Sequence, residues 1–165
     1  MLDRLPVQVE PLGLCDAGRA FRGVVAVEVL ERLAPLLARR EGELRVELGF
    51  GLDERRIRVV EGRVSGELRL LCQRCLKALT FPVDLAFRLG VVLHDAEAQR
   101  LPEGYEPLLA DGEPLPSSRI VEDELLLAIP PVPLHGAGEG CRIEHVNQPA
   151  PERENPFAVL EKLKR

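Results

Sequence analysis

The stretch FPVDLAFRL, residues 81–89, alternates without a break: Phe81, Val83, Leu85, Phe87 and Leu89 take one set of positions, Pro82, Asp84, Ala86 and Arg88 the other. A period of two sends successive side chains to opposite faces of a strand, so this segment reads as β-structure with one apolar and one wet face. A slip of one residue would bury Asp84 and Arg88, which pins the register.

Working outward, the same period recurs. In ELRVELGF, residues 43–50, Leu44, Val46, Leu48 and Phe50 face one side, and after a turn at 51–54 Ile57 and Val59 continue that side. Glu61-Gly62 reads as a second turn, after which Val64, Leu68 and Leu70 face in while Arg63, Ser65, Glu67 and Arg69 face out. Four strands joined by short turns make an antiparallel meander. Before them, residues 6–10 and 20–25 read as short strands, and 26–37 as a helix cut short by Pro35. After them, the Pro-, Gly- and acid-rich stretch 94–118 reads as a surface excursion. Ser118 is placed to cap a helix over 119–129, stopped by Pro130, Pro131 and Pro133, with Glu122, Asp123 and Glu124 as solvated charge near its start. The expected fold class is α+β: an antiparallel β-meander curling toward a barrel or sandwich, with a few short flanking helices. Residues 1–135 are expected to form a single domain, and 136–165 a flexible tail ending in a short helix over NPFAVLEKLKR.

A chain of 165 residues is long enough for one domain with a real core, and 45% hydrophobic with 30% charged residues is a globular composition. Aromatics at 4%, with no Trp, argue against a sheet that stacks RNA bases. The charged start lacks the apolar segment of a signal peptide, and no apolar run is long enough to span a membrane. The expected location is therefore the cytoplasm, where four cysteines are free or metal-bound rather than paired.

A net charge of −5 excludes a nonspecific nucleic-acid coat. From Arg55 to Lys77, however, seven cations face only Glu61 and Glu67, and from Asp95 to Glu124 nine acids face only Arg100 and Arg119. Two readings stand. Both runs are ordinary solvated faces, or the molecule is polarised and Arg56, Arg58, Arg63, Arg69, Arg74 and Lys77 form a basic sheet face that contacts RNA.

Cys72-Gln-Arg-Cys75 also has several readings. A dithiol redox pair needs a helix N-terminus to lower a thiol pKa, whereas this pair lies in the turn of an expected hairpin. Two thiolates from a tight turn suit half of a tetrahedral structural zinc site, and PLHGAGEGC, residues 133–141, offers His135 and Cys141 as the other half. His94 and His145 are rival ligands, Cys15 reads as a small core residue, and a pair of free thiols is the third reading. The chain has no Gly-rich phosphate loop, Gly-x-Ser-x-Gly or His-Glu-x-x-His, so no further catalytic constellation is visible.

Four separated pieces, LCQRCLKALTF (71–81), LPEGYEPL (101–108), VEDELLLAIPPVPLH (121–135) and the terminal NPFAVLEKLKR (155–165), together resemble the bacterial large ribosomal RNA subunit accumulation proteins. In order and spacing the resemblance covers nearly the whole chain. It implies a non-enzymatic cytosolic factor in the synthesis, processing or stability of large-subunit (23S) ribosomal RNA. The implied partners are the RNA precursor or a pre-ribosomal particle, with assembly or processing proteins, and no membrane. Many members carry further cysteines after the proline-rich segment; here Cys141 remains and His135 stands where a cysteine often does, which keeps a four-ligand set. Two rival functions stay open. One is a protein-only adaptor recruiting an RNA-processing enzyme through the acidic 95–124 segment, the other a dithiol oxidoreductase.

Overall fold

The computed structural model describes residues 5–136 and Cys141. In chain order its elements are β1 (Gln8–Val9), α1 (Pro11–Asp16), β2 (Ala20–Ala26), β3 (Leu37–Arg39), β4 (Glu43–Leu52), β5 (Arg58–Leu71), β6 (Ala78–Val92), α2 (Asp95–Ala98), β7 (Glu106–Leu109), β8 (Leu115–Pro116) and α3 (Ser117–Ala128), with single 3-10 turns at Val27–Val29 and Ala34–Leu36. The main sheet runs β2-β4-β5-β6-β7, and β3 pairs with β5 beyond the end of β4. All its pairings are antiparallel except β6 with β7. This is an α+β fold built on a mixed sheet that stays open instead of closing into a barrel.

The alternation in 81–89 sets the faces as expected. Val83 and Leu89 are buried, Phe81, Leu85 and Phe87 are partly buried against the core, and Asp84 and Arg88 are exposed. Opposite them lie the even positions of β5, with Val60 facing Leu89, Gly62 facing Phe87 and Val64 facing Leu85. The even positions of β4 complete the inner face, and Leu30, Leu33, Ile120, Val121 and Leu125 close over it. Burial of such side chains, at roughly 1.5–3 kcal/mol each, is the main force holding these elements together.

Glu61-Gly62 is not a turn. Strand β5 runs straight through it, so the meander has three strands where four were expected. Gly62 serves a different need: a Cβ there would come within 2.0 Å of Phe87 Cζ, so only glycine leaves room for the ring. The expected helix over 26–37 is two 3-10 turns followed by β3. Its backbone is held from far away, because Glu122 Oε1 accepts hydrogen bonds from Arg32 N (2.6 Å) and Leu33 N (3.1 Å).

That bond also corrects the view of Glu122 as solvated charge; the residue is buried, at 6% exposure. Asp123 pairs with Arg32. Helix α3 starts at Ser117 with no side-chain cap at Pro116, and the Ser117 hydroxyl donates to Pro6 O at 2.6 Å. The 94–118 excursion contributes two strands, β7 on the main sheet and β8 paired with β1. In place of a strand over 6–10, the chain forms only β1 and then α1. There Pro11 sits in the first turn and the Glu10 carboxylate caps by accepting from Leu12 N and Gly13 N.

Candidate functional site

Between β5 and β6 the chain reverses over residues 72–77. Cys72 N donates to Lys77 O and Leu76 N to Cys72 O, each at 2.9 Å, and Leu76 adopts a left-handed conformation (φ 56°). This tight turn presents both cysteine sulfurs to the same side. The segment after α3 is brought alongside by a bond from Gln73 N to Pro133 O, at 2.9 Å. It carries His135, and Cys141 completes the group.

The ligand atoms of Cys72, Cys75, His135 and Cys141 all lie within 4.8 Å of one another. Cys72 Sγ is 3.8 Å from Cys141 Sγ, and Cys75 Sγ is 3.4 Å from His135 Nδ1. A tetrahedron with metal–sulfur bonds near ~2.3 Å and a metal–nitrogen bond near ~2.0 Å has S···S edges of roughly 3.8 Å and S···N edges of roughly 3.5 Å. The spacing therefore fits one tetrahedral ion. His135 Nε2 lies 3.2 Å from Ala78 O, so Nε2 carries the proton and donates, which leaves the Nδ1 lone pair for the cluster.

The thiols are electrically unequal. Burial pushes the Cys72 thiol up, but the backbone N–H groups of Cys75, His135 and Arg74 and the His135 ring outweigh it and bring Cys72 down to about 5. Burial, with the neighbouring Cys75 and Cys72 sulfurs, raises Cys141 to about 11. Several thiolates this close repel one another unless a cation lies between them.

Of the rival ligands, only His94 can be placed, and it does not join the group. His94 is exposed and lies 3.9 Å from Glu97, and His145 falls outside the described residues. Cys15 is buried as a core residue, its thiol donating to Val59 O at 3.3 Å. The 72–77 turn begins no helix, so the lowered Cys72 thiol owes nothing to a helix dipole and rests on the N–H groups of Cys75, His135 and Arg74 and on the His135 ring.

The six candidate RNA-contact cations lie along β5 and in the turns at its two ends. Arg58, Arg63 and Arg69 all lie on β5, and from Arg58 to Arg69 the strand rises about 36 Å. At one end, Arg56 sits in the β4–β5 turn, and Arg58 forks onto the Asp16 carboxylate at 2.8 and 3.1 Å. Arg58 has the parity of Val60, so it does not share a face with Arg63 and Arg69. In the middle, Arg63 faces Asp84 at 3.6 Å. At the other end, Arg69 meets Glu67 at 3.7 Å and the Thr80 hydroxyl, and lies opposite Arg39 of β3. Arg74 and Lys77 are exposed on the cysteine turn itself. Much of the outer face is thus an ion-paired ladder, and the cations concentrate at the hairpin tip.

Sequence reading missed a polar cluster near the other end. The Tyr105 hydroxyl donates to Asp53 Oδ2 at 2.6 Å, which holds the Asp53 carboxyl below its ordinary range. Arg88 lies over the Tyr105 ring at 5.2 Å and pairs with Glu61 at 3.1 Å. The one available signal was Tyr105 itself, the single tyrosine of the chain.

With the cysteine turn and its histidine in place, comparison with known proteins becomes informative. The model of the large ribosomal RNA subunit accumulation protein YceD family matches residues 60–164, from near the start of β5 through the cluster and beyond. The chain belongs to this family. The protein of that name from Haemophilus influenzae is 35% identical over 170 residues, covering 98% of this chain and 97% of the relative. No solved structure matches the chain. Among the described residues no helix is long and apolar enough to cross a membrane.

Proposed function

We propose that this protein is a non-enzymatic cytoplasmic factor that supports the synthesis, processing or stability of large-subunit ribosomal RNA. It acts through contact with the RNA precursor or a pre-ribosomal particle, with assembly or processing proteins as further partners. The family membership supports the process, and the observation that carries the mode of action is the convergence of Cys72, Cys75, His135 and Cys141 beside Arg69, Arg74 and Lys77. Three thiolates and one imidazole complete a zinc shell with no position left for substrate, which is the arrangement of a structural ion. Its task here is to tie the 133–141 segment to the hairpin and hold the basic tip in one shape. Residues 1–135 serve as one domain and 136–165 as its tail.

Within the six cations, the tip members carry most of the RNA contact in this reading, because Arg74 and Lys77 stand exposed on the cysteine turn with Arg69 just before it, whereas Arg58 lies at the far end of β5 and on the other face. The test is charge reversal at each end of the strand. Arg69→Glu/Arg74→Glu/Lys77→Glu should lower large-subunit ribosomal RNA and release the protein from sedimenting precursors, while Arg56→Glu/Arg58→Glu should do so less. If the tip variant keeps normal RNA levels and still co-sediments, the basic tip is not the functional surface.

A further inference from the structure

The acidic run also builds something. Between β7, the 110–114 turn, β8 and the start of α3 lies an open groove of about 550 Å³. Leu109 and Leu115 give it an apolar floor over the buried Ile120, Asp111 and Glu113 an anionic rim, and Arg119 is the one cation in its lining. Leu109 is 54% exposed there. Asp111 and Glu113 stand exposed on the turn, where Asp111 Oδ1 accepts from Glu113 N at 3.2 Å.

The groove follows a strand edge. Strand β7 is the last strand of the main sheet, with β6 on one side and, among the described residues, no strand on the other. Open edges are usually guarded by lysine or proline. Here Pro107 guards one position and the rim is acidic instead. A nucleic-acid backbone is repelled by such a surface, and a cationic chain is drawn to it.

We propose that this groove docks an extended, lysine- and arginine-rich peptide segment of a partner protein along β7. Alternate apolar side chains of that segment lie on the floor, and the cationic ones between them reach Asp111 and Glu113. Strand addition supplies the direction of the peptide, and the period of two supplies the choice of sequence. The four residues of β7 and its single proline limit backbone pairing to a few bonds, so side-chain pattern and charge carry the specificity. The inference goes beyond the ribosomal RNA reading and does not rest on it, since peptide binding is measured on the purified protein alone.

The probes are two blocked hexapeptides of identical composition, one alternating lysine and valine, the other three lysines followed by three valines. Titrated into isotopically labelled full-length protein, the alternating peptide should shift the amides of Leu108, Leu109, Ala110, Leu115 and Ile120. It should bind at least about 5-fold tighter than the segregated peptide, the difference expected where pattern and not bulk charge is read. Asp111→Lys/Glu113→Lys should weaken binding about 10-fold, as expected when attraction is turned to repulsion at a rim. Asp111→Asn keeps the acceptor of the turn and should give a smaller loss, and Glu54→Lys, an exposed acid elsewhere, should change nothing. Equal binding of the two peptides, shifts centred elsewhere, or no binding of either overturns the proposal. So do shifts at these amides that follow protein concentration without peptide, which would make the groove a contact between copies.

Discussion

The two ends of the β5–β6 hairpin are held by different chemistry. Toward its base, Val60, Gly62 and Val64 face Leu89, Phe87 and Leu85, and the pair of strands packs into a core that extends from Leu5 to Ile129. At the tip the apolar face runs out. After Leu70 the chain offers Gln73, Arg74, an exposed Leu76 and Lys77, none of which can pack. There Cys72 and Cys75 meet His135 and Cys141 instead. Packing holds the strand pair at the base, while at the tip the four donor atoms are spaced so that they could hold a metal ion.

Metal removal should have the largest effect. Purified protein should carry about one zinc, and free zinc at 1,000-fold its dissociation constant should stabilise the fold by about 4 kcal/mol relative to apo protein. In hydrogen exchange, chelation should expose amides in 72–78 and at Leu134 and His135 while Val60 to Val64 stay protected. If protection collapses at both ends together, the two are not independent. If no metal binds at all, the tip is a thiol turn and the comparison fails there.

At the base, Leu89→Ala should cost about 3 kcal/mol by urea denaturation, since Leu89 is 5% exposed, and should leave zinc affinity unchanged. A loss below about 1 kcal/mol would remove Leu89 from the core. Phe87→Ala should cost less, about 2 kcal/mol, because the ring is only half-buried. A sharper test couples it to the glycine beneath. Gly62→Ala alone should cost about 1–3 kcal/mol, because its Cβ collides with the ring, yet should be nearly neutral once Phe87 is alanine. Additive losses would mean that Gly62 is needed for its backbone and not for the ring. The smallest change belongs to the outer face. Arg63→Ala should shift stability by no more than about 0.5 kcal/mol, since it and Asp84 are 65% and 73% exposed.

Much of this contrast was legible in the residues. The alternation at 43–50 and 81–89 located β4 and β6 and set which side chains face inward, because a strand with one wet face admits no other register. Cys72 and Cys75 marked the tip, and His135 and Cys141 could be named as their partners. The errors share one cause. Gly62 resembles a turn glycine, and only the ring lying on it reveals a straight strand. Glu122 resembles a solvated helix acid, and only the chain at Arg32 and Leu33, 90 and 89 residues away, shows that it is a buried acceptor. In each case the partner is remote in sequence, so no local pattern carries it.

By itself the sequence determined the faces of β4 and β6, the absence of the common catalytic motifs, and the identity of the donor atoms, all properties of near neighbours or of side-chain chemistry. It misplaced the start of β5, where Val59, expected on the side of Phe50, lies opposite Gly51 and leaves that side to Val60. Tertiary structure alone decided that Arg58, Arg63 and Arg69 share one strand and that the acidic run ends in a groove along β7. It alone also brought His135 to Cys75, through the bond from Gln73 to Pro133. The physical reason is reach: periodicity acts over a few residues, whereas ion pairs, ligand shells and grooves depend on which distant segments the shared core draws together.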